Sequence, residues 1–283
     1  IVLLDRATGA SRAIPAPGIT SNVSSIERVG AKVAVLTGSS QSAALFDAAT
    51  GAPAGTLALP YDFRVARVRP DSICGVGFDP TSATAVCFDA SPRVVWSKKI
   101  PLAQGELRMA DDRDVLVTTR LWASSGTPES FVLSLDDGRT VAHLGSFVSS
   151  FVRDEHGAIA GFFRAGPTSE YLGLDGRRRW TTRALQSADS ASALLADGVL
   201  VVAGWGQITA GAEIVGLDPA TGATRWTGEL PLLPIAHSAY RNDVTLRLHA
   251  GAVVMRGRES MQDYLALFDP ATGNRFYATV RRR

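Results

Sequence analysis

One short phrase recurs along this chain and constrains its fold more than any other feature. An apolar strand ends in Asp, a turn containing Thr-Gly follows, and a second strand begins. An Asp side chain in this position accepts backbone N–H groups two residues on, and glycine supplies the positive φ of a hairpin turn. Each copy therefore predicts a β-hairpin. The clearest copies lie at 4–9, 46–51, 217–222 and 268–273, with shorter ones at 88–92, 135–138 and 174–176.

A second column of residues follows these turns, usually four residues after the glycine. Its members are Ala13, Gly55, Trp96, Ala142, Trp180, Trp226 and Tyr277, with a mean step of about 44 residues. A large ring at a fixed place on an outer strand can bury up to ~250 Å² against a neighbouring repeat. We therefore expect Trp96, Trp180, Trp226 and Tyr277 to dock each repeat on the next.

Two more short strands lie between successive hairpins. The clearest pair is 191–195 and 199–202, separated by an Asp197-Gly198 turn. These runs are rich in β-branched residues, and no segment of ten or more residues shows convincing helical periodicity. A repeated four-stranded antiparallel unit of ~40–45 residues is typical of a β-propeller blade. The sequence thus predicts an all-β propeller of four-stranded antiparallel blades.

The length of 283 residues corresponds to six complete blades and an N-terminal half blade. We predict a single β-propeller domain over 1–283, with the half blade at 1–17. The complete blades are predicted at 18–60, 61–102, 103–145, 146–185, 186–230 and 231–283. Because the first copy holds only two outer strands and the last ends with its own outer strand, we expect a seven-bladed parent ring with its missing strands upstream.

The copy that runs from Val215-Gly216-Leu217-Asp218 to Trp226 resembles the pyrroloquinoline-quinone-like propeller repeat. That family reads apolar-Leu-Asp-x-x-Thr-Gly-x-x-x-Trp, and the copy at 268–277 fits it with Tyr in place of Trp. The family includes quinoprotein dehydrogenases, scaffold lipoproteins of bacterial outer-membrane protein assembly and sensor domains attached to kinases. The resemblance implies the fold but no single activity. The quinoprotein enzymes are about twice as long and often carry two adjacent cysteines, so we expect the non-enzymatic branch, similar to the scaffold lipoproteins, with no cofactor.

The two cysteines are predicted to form a disulfide. A hairpin centred between Pro80 and Thr81 places Cys74 directly opposite Cys87, with Cα atoms ~4.5–5.5 Å apart. The alternative is two reduced cysteines buried as small apolar residues. A disulfide favours an extracytoplasmic location, either periplasmic, secreted or anchored at a bacterial surface.

A search for local catalytic and metal-binding motifs finds none. The four histidines are scattered, without metal-ligand spacing, and neither a Ser-His-Asp set nor a phosphate-binding loop can be assembled. Basic and acidic residues number 29 and 27, which argues against a general nucleic-acid surface. No apolar run approaches the ~18 residues of a membrane span, so we expect no membrane insertion within this chain.

One column does suggest a binding site. An arginine lies near the end of each predicted innermost strand except the fifth, which has Leu194. Guanidinium groups around a central channel would bind carboxylates or phosphates bidentately. The alternative is that these side chains are solvated or pair with acidic residues of neighbouring turns. The candidate anion or ligand ring consists of Arg28, Arg67, Arg108, Arg153 and Arg247.

The first functional hypothesis is a monomeric, non-enzymatic binding or scaffold propeller. It would recognise a protein or a small anionic ligand at its channel mouth and at the loops between blades. The second hypothesis is a ligand-sensing ectodomain of a larger signalling protein such as a kinase. The third is an enzyme whose site is dispersed over several blades.

Overall fold

Strands make up all the regular secondary structure in the described part of the computed structural model. That part comprises residues 2–4, 8–13, 23–37, 41–119, 127–185, 188–206, 212–229, 243–259 and 262–282. The strands, β1 to β26, form a two-stranded hairpin and six groups of four consecutive antiparallel strands. The groups, named sheets I to VI, divide between two compact units at 1–143 and 144–283. The single-domain organisation stays a prediction.

The first unit contains the N-terminal hairpin and sheets I to III, and β14 ends one residue beyond it. The hairpin pairs β1 with β2, and each sheet pairs its strands in chain order. The strands are β1 (Val2–Leu4) and β2 (Ser11–Ala13); in sheet I β3 (Val23–Val29), β4 (Lys32–Thr37), β5 (Ser42–Asp47) and β6 (Pro53–Ala58); in sheet II β7 (Arg64–Val68), β8 (Ser72–Phe78), β9 (Ala83–Asp89) and β10 (Val94–Ile100); and in sheet III β11 (Gly105–Ala110), β12 (Asp114–Thr119), β13 (Ser130–Ser134) and β14 (Thr140–Leu144).

The second unit contains sheets IV to VI. The first strands of sheets IV and V also pair in parallel, at Val152 with Ala193 and at Arg153 with Leu194. The strands are, in sheet IV, β15 (Ser150–Arg153), β16 (Ile159–Arg164), β17 (Ser169–Leu172) and β18 (Arg178–Thr182); in sheet V β19 (Ala188–Ala196), β20 (Val199–Gly206), β21 (Ala212–Leu217) and β22 (Thr224–Glu229); and in sheet VI β23 (Asp243–His249), β24 (Ala252–Glu259), β25 (Gln262–Phe268) and β26 (Arg275–Arg282).

The core lies between the faces of consecutive sheets. Every residue of β8 and of β12 is buried, so these strands are covered on both faces. Separate apolar clusters fill the spaces between sheets I and II, II and III, IV and V, and V and VI. The outer strands are more exposed, as the burial pattern of β10 shows. Each sheet is therefore a two-faced layer that needs neighbours.

The hairpin turns follow the chemistry that their sequence predicts. The carboxylate of Asp47 accepts the backbone N–H groups of Ala49 and Thr50 at 3.0 and 2.6 Å, and Gly51 has a φ of 75°. Asp218 and Asp269 bind their own turns in the same way. These carboxylates replace the backbone partners that a tight turn removes.

The predicted disulfide is confirmed. Cys74 lies directly opposite Cys87 in the β8–β9 ladder, and the bond joins their Sγ atoms with the Cα atoms 4.0 Å apart. Both side chains are buried in the cluster between sheets II and III. The register that follows from the Pro80–Thr81 turn is the observed one, since Ile73 pairs with Phe88 and Ser72 with Asp89.

We expect the double substitution Cys74→Ala/Cys87→Ala to lower the free energy of unfolding by about 3 kcal/mol, the value for closing a loop of this size on the chain-entropy model. Urea unfolding in non-reducing buffer measures the difference. The wild-type protein fully reduced with a phosphine is the matched control and should lose a similar amount. A double variant as stable as the oxidised wild type would contradict the prediction.

Candidate functional site

The predicted arginines all lie near the end of a first strand, beside the turn into the second strand. In the first unit Arg28 lies on β3, Arg67 on β7 and Arg108 on β11. In the second unit Arg153 lies on β15 and Arg247 on β23. Sheet V has Leu194 on β19 at the corresponding place.

Arg67 lies on the face of sheet II that is turned towards sheet III. It pairs with Cys74, and Cys74 packs in one cluster with Val117 of sheet III. Within the described part of the chain, its buried Nη1 atom has no hydrogen-bond partner. A buried charged donor without a partner costs more free energy than a neutral one, because its lost hydration is not replaced.

Arg69 lies two residues further along the same extended segment and therefore shares this face. Its Nη2 atom donates to the backbone oxygen of Asp112 at 3.3 Å and forms an ion pair with Asp136, both next to turns of sheet III. Its Nε atom is buried and, like Arg67 Nη1, has no partner among the described residues. The sequence analysis missed Arg69; the Arg67-Val68-Arg69 spacing is the signal that could have identified it.

Arg108 is the extra residue of a β-bulge, since the β11–β12 register shifts between Leu107 and Met109. Its side chain is 17% exposed, and its Nη1 atom lies 3.6 Å from Oε1 of Glu106. This arginine thus has a carboxylate neighbour on its own strand.

Arg28 and Arg153 bind the turns that follow their strands. Arg28 donates from Nε to the carbonyl of Gly30 at 3.3 Å, and Arg153 donates from Nη1 to the carbonyl of Gly157 at 2.8 Å. The guanidinium of Arg153 also lies 4.9 Å from the ring centre of Phe151. Arg247 is exposed. Pairing with nearby turns was the alternative interpretation for this column, and it describes these two side chains.

The register places Arg28 and Arg67 on opposite faces of their sheets. Arg28 pairs with Val33, which packs with Phe46 on the face of sheet I away from sheet II. Arg67 faces the following sheet. The five-member ring of Arg28, Arg67, Arg108, Arg153 and Arg247 stays a prediction, and the structure directs attention to Arg67 and Arg69 within the first unit.

The tryptophans of the second column lie against hairpin turns of the following sheet. Trp180 and Trp226 are buried, and each indole N–H donates at 2.9 Å to a turn carbonyl, that of Pro219 and Pro270 respectively. Each ring lies so close to the turn glycine that a Cβ atom at Gly222 or Gly273 would come within 2.5 Å of the ring. Trp96 lies over Gly138 of sheet III in the same manner, whereas Tyr277 is 51% exposed.

Serine hydroxyl groups link the inner strands in the second unit. Ser150 on β15 accepts the backbone N–H of Ala193 on β19 at 3.3 Å. Ser192 on β19 accepts that of Leu246 on β23 at 3.0 Å. These buried contacts were not predicted, because a serine two or three residues before the arginine column carries no recognisable motif.

Turn carboxylates are held in the anionic form. The Ser82 hydroxyl and the Thr81 backbone N–H lower the pKa of Asp79 to about 2. The Arg225 guanidinium, followed by the hydroxyl and backbone of Thr221, lowers the pKa of Asp218 to about 2. Both side chains accept several hydrogen bonds only when ionised.

The described residues contain no cluster of three or more His, Cys, Asp or Glu side chains that could hold a metal ion. Nor do they contain a helix long and apolar enough to cross a membrane.

Comparison with solved structures identifies the architecture. BamB from Moraxella catarrhalis superimposes over 100% of this chain and 76% of its own, with a TM-score of 0.55 and 14% identity. Hsv2 from Kluyveromyces lactis superimposes over 96% of this chain and 88% of its own, with a TM-score of 0.55 and 9% identity. Both are β-propellers. The chain has the β-propeller fold.

The comparisons do not extend beyond the fold. No protein-family model and no curated protein sequence matches the chain. A structure of prolyl endopeptidases also superimposes on this propeller, over 96% of this chain and 43% of that one, with a TM-score of 0.52 and 16% identity. Because an enzyme stands among such distant neighbours, the function has to be argued from the blades themselves.

We expect Trp226→Ala to lower the free energy of unfolding of this propeller by about 3–5 kcal/mol, since it removes a buried ring from between two blades. Trp226→Phe should cost less, because it keeps most of the ring and loses the N–H donor. Tyr277→Ala is the matched control at the same position of the last blade, and its cost should stay below ~1 kcal/mol because the ring is half exposed. Equal costs at both positions, measured by urea unfolding, would refute this assignment.

The turn carboxylates should make the propeller less stable in acid. The folded-state pKa of Asp79 and Asp218 is about 2, against an ordinary value of 3.8. The stabilisation from their ionised form is therefore present above pH 4 and lost as the pH falls towards 2. Asp79→Asn/Asp218→Asn should show a smaller drop in the urea midpoint between pH 5 and pH 2.5 than the wild type. The control is Asp197→Asn, in a turn with positive φ that asparagine also adopts; a double variant with an unchanged drop argues against this origin.

Proposed function

We propose that this chain is a non-enzymatic binding or scaffold propeller that takes an anionic group, from a protein or a small ligand, beside the end of β7. The observation that carries the proposal is the pair of buried, unpartnered donors on Arg67 and Arg69 within the described residues. Both arginines lie on the side of sheet II that faces sheet III.

Guanidinium groups match the planar geometry of carboxylates and phosphates, and they bind these groups with two parallel hydrogen bonds. In a partly buried position such bonds are stronger than in bulk water. An incoming anion would satisfy Arg67 Nη1 and Arg69 Nε at once and would remove the cost of leaving them unpaired.

The second arginine is fixed before any ligand arrives. Asp136 and the backbone oxygen of Asp112 hold its other nitrogen, Nη2. Immobilising a long side chain in advance lowers the entropy cost of binding, so the arrangement favours recognition of a defined anionic group. Asp136 also neutralises part of the charge, which favours a single small anion over a polyanionic surface.

Two further features support the finer form of the proposal. The turns at 217–226 and 268–277 fit the pyrroloquinoline-quinone-like repeat, whose scaffold branch contains no cofactor chemistry. The buried Cys74–Cys87 disulfide supports folding in an oxidising, extracytoplasmic compartment, either periplasmic, secreted or surface-anchored.

Calorimetric titration with inorganic phosphate, citrate and an acidic hexapeptide tests the proposal. We expect Arg67→Gln to weaken binding of the preferred probe about tenfold or more, since a hydrogen bond to a charged group contributes about 1.5–3 kcal/mol. The free energy of unfolding of this variant should stay equal or rise, because a buried unpaired charge is removed.

Arg177→Gln is the matched control, because Arg177 is exposed at a turn of sheet IV. Its affinity for each probe should equal that of the wild type. Failure of the wild type to bind any of the three probes would overturn the proposal, as would unchanged binding by Arg67→Gln.

A further inference from the structure

The indole position of sheet I is occupied by Gly55. In each outer-strand ladder this position is the first residue after a register shift: Gly55 pairs with Leu45 in sheet I, as Trp226 pairs with Gly216 in sheet V. A Cβ atom on Gly55 would find no other atom within 4 Å. The space that a tryptophan fills elsewhere is therefore open at this sheet pair.

A groove lies at this position between sheets I and II and encloses about 260 Å³, part of it open to solvent. One wall is the β9–β10 turn, with Asp89, Ala90 and Pro92, and Ile73 lies beside it. The other wall belongs to sheet I and consists of Val29, Lys32, Ala34, Leu45 and Leu57. We name this space the Gly55 groove.

We propose that the Gly55 groove is a binding site for an indole ring brought by a ligand. The same position between sheets II and III, IV and V, and V and VI holds an indole on the following turn. In two of these pairs the ring N–H donates to the carbonyl of the residue after the turn aspartate. Ala90 follows Asp89 in the turn that lines the groove and offers a carbonyl at the matching position.

The dimensions and chemistry of the groove select a single flat ring system. Its volume is just below the ~300 Å³ at which pockets for larger ligands begin. Its walls are aliphatic, apart from the ionisable side chains of Lys32 and Asp89. An aromatic ring with one N–H donor buries apolar surface against such walls and satisfies one carbonyl.

The backbone keeps this position open. Gly55 has a φ of 109°, a conformation that residues with a Cβ atom rarely adopt. A tryptophan from the chain itself would therefore be strained here, whereas Trp96, Trp180 and Trp226 lie at positions without positive φ. A ring from outside meets no such restriction. This site is separate from the arginines of the proposed function, and neither inference depends on the other.

Titration of the whole propeller with indole and with N-acetyl-L-tryptophanamide, by calorimetry and by thermal shift, tests the inference. We expect saturable binding and a melting temperature that rises with probe concentration. Ala34→Leu adds volume to the groove wall and should weaken binding about tenfold or more. Leu57→Phe is a second blocking variant, to be used if Ala34→Leu fails to fold.

Trp180→Gly is the positive control, because it opens the equivalent position between sheets IV and V and should add a second indole site. Binding of both probes supports a site for peptide-borne and free indole; binding of indole alone supports a site for a free ligand. Absence of saturable binding in the wild type, with binding in Trp180→Gly, would overturn the inference. Binding that both folded blocking variants leave unchanged would also overturn it, because the probe would then lie elsewhere.

Discussion

The apolar character of both faces of each sheet is the constraint on which this structure depends. All seven residues of β8 and all six of β12 are buried, so neither strand could face water on either side. A four-stranded sheet of this kind is stable only between neighbours, and stacking repeats is the arrangement that supplies them. The contacts between the sheets act at different depths: a serine hydroxyl binds a backbone N–H at the inner strands of the second unit, and an indole covers a turn glycine near the outer strands.

Because apolar packing occupies the sheet faces, polar chemistry is confined to strand ends and turns. The turn aspartates use it for structure, since their ionised carboxylates bind the backbone of their own hairpins. Arg67 and Arg69 use the same region differently, because each keeps a buried nitrogen without a partner in the described structure. Such groups cost stability in the free protein and become favourable only when something binds them. This difference separates the arginines of sheet II from Arg28 and Arg153, whose donors bind neighbouring carbonyls.

The features that were predictable from the sequence are those that local turn geometry determines. The Asp79-Pro80-Thr81-Ser82 turn sets the register of β8 and β9, and this register alone places Cys74 opposite Cys87. The orientation of the arginines was not predictable, because the ladder register shifts beside Arg67, Arg108 and Arg153. A one-residue shift moves a side chain to the other face, and no residue type announces a bulge. The shorter turn copies behave similarly: in sheet III the backbone of Ser134 binds Gly138 as Asp47 binds Gly51, so the turn is offset from its Leu135-Asp136 motif.

The same reasoning explains why a repeat protein can hold a ligand position inside its own architecture. In stacked repeats the stability is close to a sum over neighbouring contacts, so replacing one indole by glycine weakens one sheet pair and leaves the others intact. Between sheets I and II a large aliphatic cluster still carries the packing, with Leu36, Leu59 and Phe88 among its buried members. The glycine therefore removes a ring without removing the interface, and the walls that would have held the ring remain in place. A groove formed in this way is rigid before binding, because its walls are strands of two complete sheets, and the chemistry that fits it can be inferred from the indoles that occupy the equivalent positions.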